Sequence, residues 1–152
     1  MLTAKDIMTK DVVTVTPDTS IEELSTLLVS NEISGAPVVN ADGAIVGMVT
    51  ENDLISRNKR LHIPTVVSFL DAVIYLESSK KFAEDVKRLT ATKVVDICAK
   101  NVVTITEDTT LTDIATIMSE KKVHLLPVIT SGKVVGIVGK RDVVKAVAQQ
   151  AH

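Results

Sequence analysis

Cysteine and aromatic residues are scarce in this chain, and their scarcity excludes several classes of protein. A single cysteine in 152 residues rules out an intrachain disulfide framework and favours a reducing, cytoplasmic setting. Aromatic residues make up 2% of the sequence, too few for the stacking platforms that bind single-stranded nucleic acid. The three histidines show no metal-ligand spacing with the cysteine, and the sequence contains neither a P-loop nor a G-x-G-x-x-G motif.

Net charge and hydropathy argue against further classes of protein. The formal net charge is −2 and the pI is about 5.9, which gives no general attraction to nucleic acid or to an anionic membrane. No uninterrupted apolar run approaches the length of a membrane span. Hydrophobic residues nevertheless make up 45% of the chain, enough for one ordinary domain or two small domains that share a core.

The strongest signal in the sequence is an internal repeat. Residues 6–55 align with residues 96–144, with Asp42 left unmatched, and 17 of the 49 aligned pairs are identical. Thirteen of the other 32 pairs exchange one apolar residue for another. We therefore divide the chain into a first copy in 1–61, an inter-repeat segment in 62–92 that is predicted to be partly helical, and a second copy in 93–152.

Each copy is predicted to be a β-α-β-β-α unit of the α/β (α+β) class. In the first copy, a β-branched strand at 12–16 precedes a helix over 17–33, with a predicted capping box at Thr19 and Glu22. A hairpin with strands at 36–39 and 44–49 follows, and its turn chemistry lies at Asp42-Gly43. The same order recurs in the second copy, and a closing helix ends each unit.

The segment "GMVTENDL" (47–54) raises the question of function. Thr50 and Asp53 have the spacing of a helix N-cap and its third helical residue, so the pair is a plausible capping box. The second copy keeps the acid as Asp142 but has Gly139 in place of the hydroxyl. An aspartate near a helix N-terminus is favoured by the helix dipole in either case. The spacing alone leaves both capping and ligand binding open.

Three signals recur in both copies in the same order: the Thr-rich first strand, the Pro-Val before the hairpin, and a G-h-h-(T/S)-x-x-D pattern, from which Gly139 departs. With them the chain resembles a tandem pair of CBS domains, named after cystathionine β-synthase and called a Bateman module. The resemblance implies two repeats related by a pseudo-two-fold axis, with two clefts between them. Such clefts typically take AMP, ADP, ATP or S-adenosylmethionine.

The resemblance also implies which residues would bind the ligand. Asp53 and Asp142 would each hold a ribose diol, because two adjacent hydroxyls can donate to one carboxylate. The cleft carrying Asp53 would contain Thr50 beside the acid, His124, Lys140 and Arg141 at the phosphates, and Val102 and Thr104 at the adenine. The cleft carrying Asp142 would contain Ser34, Asn52, Val12 and Thr14. Thr9 would be a further ligand contact, and its counterpart in the second copy is Ala99. Ordinary core packing and a solvated first helical turn are the alternative interpretations of these residues.

These observations predict a stand-alone regulatory or sensor module, not an enzyme. It would bind AMP, ADP or ATP, with or without Mg²⁺, and signal the ligand state to an unidentified protein partner. A homodimer is expected, because the apolar stretch 66–76 needs cover. The alternatives are a sensor of S-adenosylmethionine or another adenosyl compound, a nucleic-acid-binding pair, which the acidic pI disfavours, and a nucleotide-hydrolysing enzyme, for which the sequence offers no base, nucleophile or metal set.

Overall fold

A computed structural model describes residues 1–57 and 91–150 of the chain. The predicted helical part of the inter-repeat segment and its apolar stretch 66–76 lie outside these residues. The described elements of the first half are α1 (Ala4–Ile7), α2 (Ile21–Ser30), β1 (Gly35–Val39), β2 (Ile45–Thr50) and α3 (Glu51–Arg57). Those of the second half are a 3-10 turn (Val94–Asp96), α4 (Leu111–Lys121), β3 (Leu125–Thr130), β4 (Lys133–Gly139) and α5 (Lys140–Gln150). The mixed helix and strand class and the repeated order confirm the predicted fold.

The predicted hairpin is present in each repeat. β1 pairs with β2 and β3 pairs with β4, both antiparallel. At the first turn Gly43 has a φ of 81°, and the Asn40 Oδ1 atom accepts hydrogen bonds from the backbone N–H groups of Asp42 and Ala44. Glycine adopts this left-handed conformation at no steric cost, which is why the turn forms there.

The first long helix of each repeat begins one residue later than the predicted capping box. The Ser20 hydroxyl caps α2 by accepting from the backbone N–H of Glu23, and Thr110 caps α4 in the same way. Thr19 instead accepts from the backbone N–H of Thr16 at 3.0 Å, which closes the turn before the helix. The predicted capping box at Thr19 and Glu22 is therefore wrong, because the turn takes the hydroxyl that the pattern assigned to the helix.

The predicted first strands are reduced to single contacts. Val15 forms one parallel bridge with Val38 of β1, and Ile105 forms the equivalent bridge with Val128 of β3. The rest of 12–16 and of 102–106 belongs to no strand. Sequence composition therefore overestimated the hydrogen bonding of these two segments.

The segments that lead into the two repeats are exchanged between them. Thr9 pairs through its backbone with Ile137 of β4, and its counterpart Ala99 pairs with Met48 of β2. Further backbone bonds join Ala4 to Thr109 at 2.8 Å. Each repeat therefore completes its hydrogen bonding with the leading segment of the other repeat.

The same exchange completes the two hydrophobic cores. One core contains Val15, Leu24 and Val38 of the first repeat together with Val94 from the lead of the second. The other contains Ile105, Ile114, Leu126 and Val128 of the second repeat together with Ala4 from the lead of the first. Burial of these apolar side chains is the main force that holds the halves together.

Two equivalent glycines allow the leading segments to approach the hairpins. A Cβ atom added at Gly47 would lie 2.9 Å from the Cys98 Sγ atom and 3.0 Å from the Ala99 carbonyl oxygen. A Cβ atom added at Gly136 would collide with the Met8 side chain. Cys98 and Met8 are counterparts in the repeat, so both interfaces use a sulfur-containing side chain against a glycine. Cys98 packs against the core of the first repeat, and burial raises the pKa of its thiol.

Candidate functional site

Two equivalent helix N-termini bring the predicted aspartates to the ends of the hairpins. β2 passes directly into α3, and the Asp53 Oδ2 atom accepts from the Thr50 backbone N–H at 2.8 Å and from the Thr50 hydroxyl at 3.4 Å. β4 passes directly into α5, and the Asp142 Oδ2 atom accepts from the Gly139 backbone N–H at 2.8 Å. The helix-capping interpretation is therefore correct for both repeats, and the bond that is common to both comes from the backbone.

The capping bonds leave one oxygen of each of these carboxylates available to another donor. Asp6 and Asp96 make the same type of bond, to the backbone N–H groups of Thr3 and Lys93, but both of these aspartates are exposed. Asp53 and Asp142 are half-buried. Within the described part of the chain, the Oδ1 atoms of these two residues have no hydrogen-bond partner. Each retains an acceptor oxygen in a partly desolvated position.

Asp6 and Asp53 differ in their electrostatics. Hydrogen bonds from Thr3 hold the pKa of the exposed Asp6 below its ordinary value. Burial raises the pKa of Asp53 above its ordinary value, although the bonds from Thr50 act in the opposite direction. The Asp53 carboxylate is thus incompletely solvated for its charge, and additional donors at its free oxygen would stabilise the ionised form.

The residues predicted at the phosphates lie beside the helix starts of their own repeats. The His124 carbonyl oxygen accepts from the Lys140 backbone N–H at 2.9 Å, and the Ser34 carbonyl oxygen accepts from the Glu51 backbone N–H at 2.8 Å. The side chains of His124, Lys140, Arg141, Ser34 and Asn52 are exposed. The first turn of α5 therefore carries two cations, whereas the first turn of α3 carries Glu51 and a neutral amide.

Leu125 joins the two hairpins near these helix starts. A Cβ atom added at Gly35, its counterpart, would lie 2.9 Å from the Leu125 Cδ2 atom, and one added at Gly139 would lie 3.5 Å from Cδ1. Gly35 is the cross-strand partner of Thr50, and Leu125 is the partner of Gly139. The N-termini of α3 and α5 consequently belong to one region of the molecule.

The residues predicted at the adenine lie on two segments that cross between the repeats. Residues 99–105 run from Ala99, beside β2, to Ile105, beside β3, and residues 9–15 run from β4 to β1. Within the described residues, the backbone N–H and C=O groups of 102–104 make no hydrogen bond, nor do those of 13–14. Thr14 and Thr104 are exposed, and Val12 and Val102 are half-buried. The crossing segments therefore offer free backbone donors and acceptors beside apolar groups.

The exchange of the leading segments is the feature of the site that sequence reasoning missed. The aligned tetrapeptides "DIMT" (6–9) and "DICA" (96–99) showed that the repeat begins before the first strand, but alignment does not reveal which hairpin each tetrapeptide joins. The exchange places Thr9 two residues from the end of β4 in register, and Ala99 at the equivalent place on β2. Thr9 thus belongs with the helix start that carries Asp142.

Neither a group of metal ligands nor a membrane-crossing helix is present in the part of the chain that the structure describes. Among residues 1–57 and 91–150, no three His, Cys, Asp or Glu side chains are grouped as metal ligands would be. In the same ranges, no helix combines the length and apolar character that crossing a membrane requires.

A family model described as "CBS domain" matches residues 4–60 and again residues 94–149. The chain belongs to the CBS domain family. The match covers both repeats and most of the chain, so the tandem CBS pair, or Bateman module, that the sequence pattern resembled is confirmed.

Relatives of this CBS pair include archaeal and plant proteins. Protein MJ1426 of Methanocaldococcus jannaschii is 32% identical over 150 residues, which are 93% of this chain and 89% of the relative. The chloroplastic CBS domain-containing protein CBSX1 of Arabidopsis thaliana is 34% identical over 161 residues, which are 97% of this chain but 64% of the relative. The chain thus spans less than two thirds of the plant protein.

Solved CBS structures share the fold over the whole chain. The crystal structure of CBSX2 in complex with AMP has a TM-score of 0.81 at 26% identity and covers 100% of both chains. The CBS domain pair of protein MJ0100, in complex with 5′-methylthioadenosine and S-adenosyl-L-methionine, has a TM-score of 0.71 at 23% identity and covers 99% of this chain and 98% of that one.

Proposed function

We propose that this CBS pair is a regulatory module that binds an adenine nucleotide, AMP, ADP or ATP, and signals the ligand state to a protein partner. The observation that carries the proposal is the full-length likeness to CBSX2, a CBS protein whose crystal structure contains AMP. The chemistry of the two helix starts supports the proposal independently. The module acts as a sensor and performs no reaction of its own.

The ribose is held by the half-buried aspartates. The Oδ2 atom of Asp53 is engaged by Thr50, and Oδ1 is available to a donor. Two adjacent ribose hydroxyls donate to the two lone pairs of Oδ1. Bonds to a charged acceptor are stronger than neutral ones. Asp142 makes the same arrangement without the neighbouring hydroxyl.

The adenine lies against the crossing segment of the other repeat. For the cleft carrying Asp53, this segment contains Val102 and Thr104, and it is attached beside β2 through Ala99. Its free backbone N–H and C=O groups match the edge of a base, and Val102 supplies apolar contact. Val12, Thr14 and Thr9 have the equivalent roles in the cleft carrying Asp142.

The phosphates distinguish the two clefts. His124, Lys140 and Arg141 serve the cleft that carries Asp53, and this assignment across the repeats is supported by the contact of the adjoining Leu125 with Gly35, the cross-strand partner of Thr50. The cleft carrying Asp142 has only the neutral Ser34 and Asn52. ATP therefore prefers the cleft with Asp53, and AMP or an uncharged adenosyl compound fits the other.

Calorimetry tests the proposal directly. The full chain is titrated with AMP, ADP, ATP, S-adenosylmethionine and NADH, each with and without Mg²⁺. Saturable binding of an adenine nucleotide is the expected result. Binding of S-adenosylmethionine alone would identify the module as an S-adenosylmethionine sensor instead. Turnover of labelled ATP would identify an enzyme instead. A salt-dependent gel shift in the absence of nucleotide binding would identify a nucleic-acid-binding pair.

A further inference from the structure

The closing helix of the first repeat is held less tightly by burial than its counterpart in the second. None of the residues Glu51–Arg57 of α3 is fully buried, whereas α5 buries Ala146 and contacts α1. A helix of seven residues is too short to be stable through its own hydrogen bonds. The position of α3, and with it that of Asp53 in its first turn, therefore depends on the contacts that its side chains make with the rest of the chain.

Arg57 makes such a contact at the end of α3. Its Nε and Nη2 atoms both donate to the Ala91 carbonyl oxygen, at 3.1 Å and 2.9 Å. Arg57 is half-buried, and Ala91 is buried. Hydrogen bonds from a charged donor are stronger than neutral ones, and partial burial reduces competition from water. The guanidinium group thus fastens α3 to the point where the chain enters the leading segment of the second repeat.

The stretch that begins at Ala91 is itself held firmly by the first repeat. Val94 is fully buried in the core of that repeat, and Ala99 exchanges two backbone hydrogen bonds of 2.9 Å with Met48 of β2. Beyond Ala99 the chain becomes the crossing segment that is proposed to contact the adenine. Arg57 therefore fastens the helix that carries Asp53 to the stretch of chain that leads to the adenine contacts of the same cleft.

We propose, on the basis of the proposed function, that Arg57 is a positioning residue for the cleft that carries Asp53. It fixes the ribose-binding helix relative to the adenine-binding segment by its contact with Ala91, and not by a contact with the ligand. Asp53 and Arg57 are four residues apart and share a face of α3, so a shift of the helix end displaces both. Without the two hydrogen bonds, Asp53 occupies its binding position in a smaller fraction of molecules, and the apparent Kd rises in inverse proportion to that fraction.

The second repeat lacks the arginine. The repeat alignment, continued by two residues, places Ala146 opposite Arg57, and a methyl side chain has no donor. The helix α5 instead has 11 residues and packs against α1. The cleft carrying Asp142 takes only Asn52 from α3, so its affinity should depend little on Arg57. This difference between the repeats supplies an internal control.

Calorimetry well below the melting temperature tests the proposal in two backgrounds of the full chain. In Asp142→Ala, which leaves the cleft with Asp53, adding Arg57→Met should weaken ATP binding by about tenfold or more, the equivalent of one hydrogen bond to a charged group. In Asp53→Ala, the same change should alter AMP binding by less than about threefold. Arg57→Lys keeps the charge and a donor, and it should recover part of the ATP affinity. The matched control is Lys145→Met, which removes one cation from an exposed position of α5 and should leave ATP binding unchanged.

Each other outcome would contradict the proposal in a recognisable way. An unchanged Kd in Arg57→Met, even at a lower melting temperature, would make Arg57 a structural residue alone. Equal losses in the two backgrounds, an equal loss in Lys145→Met, or a loss that lysine does not reduce would also overturn the proposal. Circular dichroism checks folding, and if Arg57→Met is unfolded, Arg57→Lys must itself show a loss of about threefold. ATP binding by the wild type but not by Asp142→Ala would overturn this proposal alone. A wild type that binds no adenine nucleotide would overturn the proposed function as well.

Discussion

Replacing Asp53 by alanine separates a capping role from a ligand-binding role, and Asp142→Ala is its matched control. Both carboxylates accept the N-cap backbone N–H at 2.8 Å. The loss of a capping interaction costs about 0.5–2 kcal/mol. Since each kcal/mol moves the melting temperature of a chain of this size by about 2–4 °C, both variants should melt about 1–8 °C lower without ligand.

The increase in melting temperature caused by ATP should then differ between the two variants. A ligand at about 100 times its Kd stabilises the folded state by roughly 2.7 kcal/mol, which corresponds to a shift of about 5–10 °C. Asp53→Ala should remove most of this shift, because we propose that the cations of α5 serve its cleft. Asp142→Ala should retain most of it. Thermal unfolding with and without ATP measures both quantities in one experiment.

Two results would refute this reasoning. If Asp142→Ala abolishes the ATP response and Asp53→Ala retains it, the assignment of the cations to the clefts is reversed. If both variants lose stability without ligand but keep the full ATP shift, the two aspartates are helix caps alone.

The remaining predictions concern pH, packing and capping. Burial raises the pKa of Asp53 above its ordinary value of 3.8, so the folded state binds the proton more tightly than the unfolded state does. The free energy of unfolding should therefore fall as the pH rises from 3.8 through the raised pKa. Urea unfolding from about pH 3 to about pH 6 should show this component in the wild type and not in Asp53→Asn, and parallel curves would contradict it. Gly136→Ala should cost about 1–3 kcal/mol in urea unfolding and be largely rescued by Met8→Ala. The stability lost in Gly47→Ala should not be restored by removing the facing Cys98 thiol, because a backbone oxygen remains 3.0 Å from the added carbon. Ser20→Ala should cost about 1 kcal/mol, and an unchanged melting temperature would exclude the observed cap.

The fold could be predicted because the same pattern of local structure occurs in both repeats. Helical apolar spacing predicted the helix in which Ile21, Leu24 and Leu28 are buried, and the Asp42-Gly43 pair predicted the turn. The cap of α2 was misplaced because adjacent hydroxyls compete for the same helix start, and only the backbone geometry decides between Thr19 and Ser20. The single bridges at Val15 and Ile105 were not predictable, since β-branched residues favour extended backbone whether or not it pairs.

The site could be predicted in part for a similar reason. Spacing identified Asp53 and Asp142 as residues at helix starts, and the structure has them there. Their half-burial, which distinguishes them from Asp6, depends on packing between segments distant in sequence. The position of Thr9 beside β4 likewise follows from the exchange between repeats, which local propensity does not encode.

The exchange of the leading segments has a consequence for synthesis and for the origin of the chain. More than one hundred residues after Ala4 must be synthesised before the core that Ala4 joins in the second repeat can form. The first repeat likewise lacks Val94 until the second begins to emerge. Both cores therefore close late, and contacts of such sequence separation slow folding. A single copy of the repeat could complete its core only by exchanging leads with another molecule. Duplication makes that exchange intramolecular, and so independent of protein concentration.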